Sequence, residues 1–265
     1  MLELAIVVPT FKERDNIRPL LACLDRVLTG VSFEVVFVDD DSPDGTANLI
    51  RRVSLERPDV RVLQRIGRRG LASACIEGMM ATAAPYIAVM DADLQHDESI
   101  LPEMLKVIRE SGVDLVLASR NVDGGSMGDF AKSRVAVSDL GRSIARMISK
   151  TEVTDPMSGF FLLDRRFLEE VAPNLSAIGF KILLDLIASA DRPLKVREVP
   201  YRFRQRQFGE SKLDTLVLVE YLQLVADKLI GNLVPPPVCA VQRGGPGGRS
   251  VVPGGVIHPV SVAAI

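Results

Sequence analysis

Asp91, Asp93 and Gln95 stand at alternate positions directly after an apolar run, residues 86–90. Alternate side chains of a strand point to the same face, so we expect these three to lie on one side if the extended geometry continues through them. Oxygen ligands of this kind suit Mg²⁺ or Mn²⁺, and Mg²⁺ sites typically combine one or two carboxylates with substrate phosphates. The stretch therefore predicts a metal–diphosphate site.

A second acidic group, Asp39 and Asp40, follows the apolar run at residues 33–38. A carboxylate can accept a hydrogen bond from a base N–H or a ribose hydroxyl, so this strand end is a candidate nucleoside pocket. Within the same turn, Ser42 or Asp44 could instead cap the helix that follows.

A third polar group, residues 9–16, follows the apolar run at residues 4–8. Asp15 or Asn16 could cap the first helix, which is the structural interpretation of this stretch. The functional interpretation is that Glu13 faces the nucleotide.

Elements that alternate between strand and helix must position these residues. Apolar, β-branched runs occur at residues 4–8, 33–38, 59–63, 86–90 and 113–118, with further strands expected near 159–163 and 194–199. Segments of helical period separate them, as at Leu20, Leu21 and Leu24. This alternation predicts an α/β fold with a mainly parallel sheet flanked by helices. Open parallel sheets bind ligands beyond the carboxyl ends of their strands, so the three polar groups should meet in one crevice.

The bulk composition excludes several classes. The chain has 265 residues, 32 Lys and Arg against 34 Asp and Glu, and a formal net charge of −2. Without a bulk positive field, a general nucleic-acid binder is not expected. Three cysteines without CxxC spacing favour neither a disulfide framework nor a zinc site, and a reducing cytosolic setting fits them. No signal-peptide signature and no membrane-spanning run is recognised.

After residue 120 the chain differs in character. A helix near residues 137–150 carries a basic stripe, Arg142, Arg146 and Lys150, which is either a solvated face or a contact for anionic headgroups. Residues 213–234 are expected to form an amphipathic helix that packs on the domain, lies in a membrane interface or pairs with a partner. Residues 235–265 are rich in Pro and Gly and are expected to be a disordered tail.

Six strings in order complete the pattern: PTFKERDN, VDDDSPDGT, MDADLQH, SGFF, GFKILLDL and GESKL. Together they resemble the dolichyl-phosphate or polyprenyl-phosphate mannosyltransferases, a branch of the inverting family 2 glycosyltransferases with the GT-A fold. The resemblance covers roughly residues 3–230, with residues 1–212 as the catalytic domain. It departs from the family pattern at Phe11-Lys12, where Tyr-Asn is usual, and at Asp185, where Glu is usual.

The resemblance implies a role for particular residues. The nucleotide would lie against Pro9, Phe11, Glu13, Asp39, Asp40, Asp91 and Ala92, and the metal on Asp91, Asp93 and Gln95. The acceptor phosphate would contact Ser119, Arg120, Arg134 and Ser138, while Arg206 and Lys212 would lie near the diphosphate and sugar. The residues expected to carry catalysis are Asp93, Arg120, Arg134, Arg206 and Lys212.

The implied activity is transfer of mannose from GDP-mannose to a polyprenyl (dolichyl-type) phosphate, with Mg²⁺ or Mn²⁺ as cofactor. A membrane surface and a membrane-anchoring partner protein are further expected partners, with the chain peripheral on the cytoplasmic face. Two alternatives remain: transfer from a UDP-sugar such as UDP-glucose, and a catalytically silent subunit that binds nucleotide or lipid. A Rossmann dehydrogenase is disfavoured because the first strand lacks the glycine fingerprint for a dinucleotide.

Overall fold

The structure is a computed structural model that describes residues 1–122, 150–177, 179 and 181–204. The expected basic helix, the 213–234 helix and the Pro/Gly-rich tail lie outside the described residues, apart from Lys150. Within the described ranges, no helix is long and apolar enough to cross a membrane.

One seven-stranded sheet forms the centre of the fold. Its strands are β1 (Leu4–Thr10), β2 (Phe33–Asp39), β3 (Val60–Gln64), β4 (Tyr86–Val89), β5 (Leu115–Ser119), β6 (Phe161–Asp164) and β7 (Val196–Pro200). Their spatial order is β3-β2-β1-β4-β6-β5-β7. Strand β6 is antiparallel to both of its neighbours, and the other adjacent pairs are parallel. The expected mixed, mainly parallel sheet is confirmed.

Helices cover both faces of the sheet because the central strands are apolar on both sides. They are α1 (Ile17–Val27), α2 (Thr46–Glu56), α3 (Leu71–Met80), α4 (Leu101–Ser111), α5 (Arg165–Val171) and α6 (Ile182–Ala188). Apolar residues of α1, α2 and α4 pack with Ile6 and Phe37 on one face. Those of α3, α5 and α6 pack with Val7 and Val36 on the other.

The register of the sheet brings the polar groups to one edge. Thr10 at the end of β1 pairs with Asp39 at the end of β2, and Val7 pairs with Val89, the last residue of β4. Strand β5 runs in the same direction as β4, because β6 is antiparallel to both. Ser119, the last residue of β5, therefore also lies at the carboxyl edge.

Gly78 in α3 allows that helix to approach the sheet closely. A Cβ at this position would lie 2.4 Å from Val7 Cγ1 and 2.8 Å from Val38 Cγ2, closer than such atoms can approach. Both valines are fully buried, so neither has an open direction in which to move. The absence of a side chain at Gly78 thus sets the distance between α3 and two central strands.

We expect Gly78→Ala to lower the free energy of unfolding by about 1–3 kcal/mol, the usual cost of overpacking a core. In an exposed helix the same change would raise it by about 1 kcal/mol through helix propensity. Denaturant unfolding followed by circular dichroism measures the difference. Met80→Ala, in the same helix at a residue that is 53% exposed, is the control, with a change within about 0.5 kcal/mol. A stabilised Gly78→Ala variant would contradict the proposed contact.

Candidate nucleotide and metal site

The acidic loop does not have the strand geometry that alternation suggested. Strand β4 ends at Val89, before the first acid, and Leu94 has a left-handed backbone with φ of 61°. The expectation that Asp91, Asp93 and Gln95 share a face of an extended strand is therefore wrong. The chain turns sharply here, and the loop's own hydrogen bonds fix the acids.

Contacts within this loop orient two of the three expected metal ligands. The backbone N–H of Gln95 donates to Asp93 Oδ1 at 3.1 Å, so the two residues are held side by side. The Gln95 amide nitrogen donates to the carbonyl of Arg204 at 3.2 Å. Because a carbonyl only accepts, this bond fixes the amide orientation and directs its oxygen away from Arg204.

The donor set fits a hard divalent ion. Two carboxylates and an amide oxygen are all oxygen ligands, the type that Mg²⁺ and Mn²⁺ prefer. Asp93 and Gln95 are buried, whereas the Asp91 side chain is 44% exposed. No group of three His, Cys, Asp or Glu side chains forms a metal cage in the described ranges. An ion held here would need the amide and substrate oxygens to complete its coordination.

Asp39 is the centre of a hydrogen-bond network at the end of β2. Its Oδ1 accepts from the hydroxyls of Thr10 at 3.0 Å and Ser42 at 2.6 Å, and its Oδ2 accepts from the Ser42 backbone N–H at 2.9 Å. The side chain is fully buried. Asp39 therefore ties β1 to the turn that follows β2, beside any role in nucleoside binding.

Asp40 holds the loop between β3 and α3. Arg65 Nη1 donates to Asp40 Oδ1 at 2.8 Å, and the Gly70 backbone N–H donates to Oδ2 at 2.7 Å. Burial raises the pKa of Asp40, and the Gly70 N–H and the Arg65 guanidinium offset part of that rise. The buried Arg65 also donates to Ser73 Oγ at 2.6 Å, which connects the acid to α3.

Phe11 directly follows β1, and the loop between β3 and α3 contacts it through Arg69. The Arg69 guanidinium lies 4.4 Å from the centre of the Phe11 ring, and Lys12 Nζ lies 5.5 Å from it. Both are cation–π contacts. The aromatic face and two positive charges at this position are suited to a base and an anionic phosphate.

The N-cap of α2 is Gly45, so neither Ser42 nor Asp44 caps this helix as expected. Asp44 Oδ1 does accept from the Thr46 backbone N–H at 3.0 Å, just before the helix, and Ser42 bonds to Asp39. At α1, Asn16 makes no side-chain cap; its amide donates to Glu13 Oε2 at 2.7 Å. Glu13 is thus anchored to the start of the first helix.

Arg120 forms a buried, bidentate ion pair with Asp155. Its Nε and Nη2 donate to the two carboxylate oxygens at 2.7 and 2.9 Å, and Nη1 takes part in neither bond. Burial opposes the charge on Arg120, but the hydrogen bonds to Asp155 outweigh it and the pKa is raised. Arg120 thus stays positive at the carboxyl edge. Its neighbour Ser119 is fully buried, with its hydroxyl 2.6 Å from that of Thr154.

Four other expected residues, Arg134, Ser138, Arg206 and Lys212, lie outside the described residues. The described chain ends at Arg204, two residues before Arg206. Arg204 donates to Asp97 and Glu98 at 2.6 Å each, and its backbone N–H donates to the Gln95 carbonyl at 2.8 Å. Arg204 is therefore bonded to the acidic loop and to the two acids that follow it.

Sequence reasoning missed two charged residues of this region, Asp155 and Lys181. Lys181 precedes α6, and burial followed by the charge of Arg120 lowers its pKa, while Asp91 and Asp155 oppose that shift. The signal that could have identified it is a lysine within the apolar stretch GFKILL. Asp155 carried no comparable signal, since its partner lies 35 residues away.

Asp185, the acid that departs from the family pattern, has a structural role. It is fully buried and accepts from the backbone N–H groups of Ser176 and Ala177 at 3.0 and 3.2 Å. It thereby shapes the loop that leads to Gly179, whose carbonyl accepts from the Ala72 N–H at the start of α3.

Comparison with known proteins agrees with this arrangement. Residues 5–172 match Glycosyl transferase family 2. The chain is 36% identical over 224 residues to a dolichol-phosphate mannosyltransferase of Pyrococcus furiosus, which covers 84% of this chain and 62% of that protein. It is 35% identical over 234 residues to the dolichol-phosphate mannosyltransferase of Saccharomyces cerevisiae, with 84% and 85% covered.

Solved structures share the fold. Glucosyl-3-phosphoglycerate synthase from Mycobacterium tuberculosis superposes with a TM-score of 0.60 at 17% identity, covering 85% of this chain and 79% of that one. A mannosyltransferase from Pyrobaculum calidifontis, in complex with GDP-Man and Mn²⁺, gives 0.57 at 19% identity, with 83% and 63% covered. The sequence match over most of the chain, together with the sheet and its acidic edge, places this protein in glycosyl transferase family 2.

Proposed function

We propose that this chain transfers mannose from GDP-mannose to a dolichyl-type polyprenyl phosphate, with inversion at the sugar C1. The observation that carries the proposal is the 35% identity to a dolichol-phosphate mannosyltransferase of which the chain covers 85%. The Pyrococcus furiosus relative is longer, and the chain spans 62% of it. The arrangement of acids and cations at the carboxyl edge supports the same reaction.

The donor would lie across the ends of β1, β2 and β4. The base would contact Phe11, with Pro9, Glu13, Asp39 and Asp40 around the nucleoside and Ala92 beneath it. Arg69 and Lys12, which flank the Phe11 ring, add positive charge for a phosphate. Arg206 and Lys212 would contact the diphosphate from the segment that follows Arg204.

A divalent ion on Asp91, Asp93 and Gln95 would, when bound, neutralise negative charge that develops on the departing GDP. The donor set suits Mg²⁺ and Mn²⁺ equally by ligand type. We favour Mn²⁺ for experiments because a mannosyltransferase of the same fold binds it together with GDP-Man.

The acceptor phosphate is already an anionic nucleophile, so the site needs to orient it more than to deprotonate it. Its oxygen attacks C1 of mannose, the bond from C1 to the GDP diphosphate breaks, and GDP leaves. Arg120 would direct the acceptor, held by Asp155 through two of its three guanidinium nitrogens. Ser119, Arg134 and Ser138 are the further residues that we assign to acceptor binding.

We further propose three parts of the chain: a catalytic domain at residues 1–212, an interfacial helix at 213–234 and a tail at 235–265. In a helix, Glu220, Gln223 and Asp227 would form a narrow polar stripe on a segment that is apolar over most of its circumference. Such a helix can lie in the membrane interface, near the headgroup of a lipid acceptor. Peripheral attachment at the cytoplasmic face, directly or through an anchoring partner protein, follows from this proposal.

The first experiment compares radiolabelled GDP-mannose and UDP-glucose as donors, with a short polyprenyl phosphate as acceptor and Mn²⁺ present. We expect label from GDP-mannose alone to enter the lipid fraction. Transfer from UDP-glucose alone would replace the donor assignment. A purified chain that transfers neither sugar until a partner protein is added would favour the silent-subunit alternative.

In the same assay, Asp93→Ala should lower the rate of mannose transfer on the order of 100-fold, the usual effect of removing one preorganised electrostatic group. It should also abolish metal-dependent binding of GDP-mannose. Asp93→Asn is the matched control for folding, because its amide oxygen can still accept the Gln95 N–H bond that Asp93 makes at 3.1 Å. Full transfer and metal-dependent binding in Asp93→Ala would exclude Asp93 as a ligand.

The acceptor role of Arg120 predicts a selective kinetic change. Arg120→Lys keeps a charge beside Asp155 but removes the planar fork. We expect the acceptor KM to rise roughly tenfold or more, because losing a charged hydrogen bond costs about 1.5–3 kcal/mol. The GDP-mannose KM should not change.

Arg192→Lys is the control, since Arg192 forms a similar bidentate pair with Asp114, at 2.8 Å, at the opposite end of β5. Equal rises in both KM values would refute a role specific to the acceptor.

The interfacial helix predicts a loss of membrane binding on truncation. A variant that ends at residue 212 should no longer sediment with liposomes containing anionic lipid, because it loses the amphipathic segment. A variant that ends at residue 234 is the control, since it lacks the tail alone and should sediment like the full chain. Unchanged sedimentation of the shorter variant would place membrane attachment elsewhere.

A further inference from the structure

His96 is a buried histidine next to the acidic loop, and no role has been assigned to it above. Its side chain is 3% exposed. Its Nε2 lies 3.2 Å from Asp91 Oδ2, and its Nδ1 lies 3.3 Å from the Tyr201 hydroxyl. The ring thus stands between a carboxylate at the candidate metal site and a tyrosine that follows β7.

The chemistry of the carboxylate fixes the direction of one of these hydrogen bonds. An ionised Asp91 carboxylate can only accept, so His96 Nε2 carries a proton and donates it to Asp91. Burial raises the pKa of Tyr201, so its hydroxyl keeps its proton and can bond to Nδ1. The two contacts hold the ring at both of its nitrogens.

Packing around His96 leaves the ring little freedom to move. The rings of Phe160, Tyr201 and Phe203 have their centres 5.3, 5.8 and 5.6 Å from that of His96. Gly159 also approaches the hydrogen bond between His96 and Asp91 closely: a Cβ there would lie 3.2 Å from Asp91 Oδ2 and 3.4 Å from His96 Nε2. Thus the backbone of the SGFF segment leaves space for this contact.

We infer that His96 is a positioning residue that, anchored at its other ring nitrogen by Tyr201, holds the Asp91 carboxylate in the orientation for metal–diphosphate binding. Such a residue is needed because Asp91 is more exposed than Asp93 and Gln95: 44% of its side chain is exposed. A carboxylate on a turn can rotate, and a fixed donor on one oxygen presents the other to the ion. This inference rests on the proposed function, because it assumes that Asp91 binds the metal.

The test measures GDP binding by calorimetry with Mn²⁺ and with EDTA. The ratio of the Kd in EDTA to the Kd with Mn²⁺ then reports the contribution of the metal to GDP binding. In His96→Asn the short amide can reach toward Tyr201 but not Asp91, and we expect the ratio to fall about 10–100-fold, the usual effect of losing a contact to a metal ligand. In His96→Gln the longer amide can donate to Asp91, and most of the ratio should return. The Kd in EDTA and the melting temperature should stay near wild type in both variants.

Tyr201→Phe provides a second variant that keeps the ring packing and removes only the hydroxyl, so it tests the inference even if His96→Asn fails to fold. We expect it to lower the ratio as well, whereas Tyr86→Phe, at the opposite end of the sheet, should leave it unchanged. A wild-type ratio in His96→Asn or in Tyr201→Phe would refute the role of His96 and leave the proposed metal site intact. If Mn²⁺ does not change the GDP affinity of the wild-type chain, both the role of His96 and the proposed metal site are refuted.

Discussion

Buried carboxylates at the carboxyl edge of the sheet determine how the surrounding loops fold. An ionised carboxyl taken out of water costs several kcal/mol unless donors replace its hydration. Asp39, Asp40 and Asp155 each receive such donors from another part of the chain: Thr10 and Ser42, Arg65 and Gly70, and Arg120 respectively. The loops that frame the site are thus the same loops that satisfy its acids.

This requirement separates the acids into two groups. Asp39 and Asp40 are buried and accept hydrogen bonds from their own chain, so they would affect a bound nucleotide mainly through the loops that they position. Asp40 fixes the loop after β3, and that loop carries Arg69 to the face of Phe11. Asp91 differs, since 44% of its side chain is exposed. The buried acids thus make the candidate pocket rigid, and the more exposed one offers a negative charge that would suit a cation.

The sequence predicted the elements better than the contacts between loops. Periodicity located every strand of the sheet to within a few residues, because burial of alternate or consecutive side chains is a local property. It failed after β4, which ends at Val89 and is followed by a turn with a left-handed Leu94, since no residue type in that stretch demands such a turn. It also missed Asp155 and Lys181, because their partners are distant in the chain. Four of the expected site residues lie outside the described part of the chain and stay predictions.

The acidic loop is bonded to the segment that follows β7, which also contacts the candidate acceptor residue Arg120. Two hydrogen bonds join Gln95 to Arg204, one in each direction, and Arg204 is paired with the two acids after the loop. Within the same segment, Phe203 lies 5.5 Å from the guanidinium of Arg120 and packs on His96. A movement of residues 201–204 would therefore shift a candidate metal ligand and the candidate acceptor residue together. In a transfer reaction this coupling has a use, because the acceptor oxygen and the departing diphosphate must be aligned at the same sugar carbon.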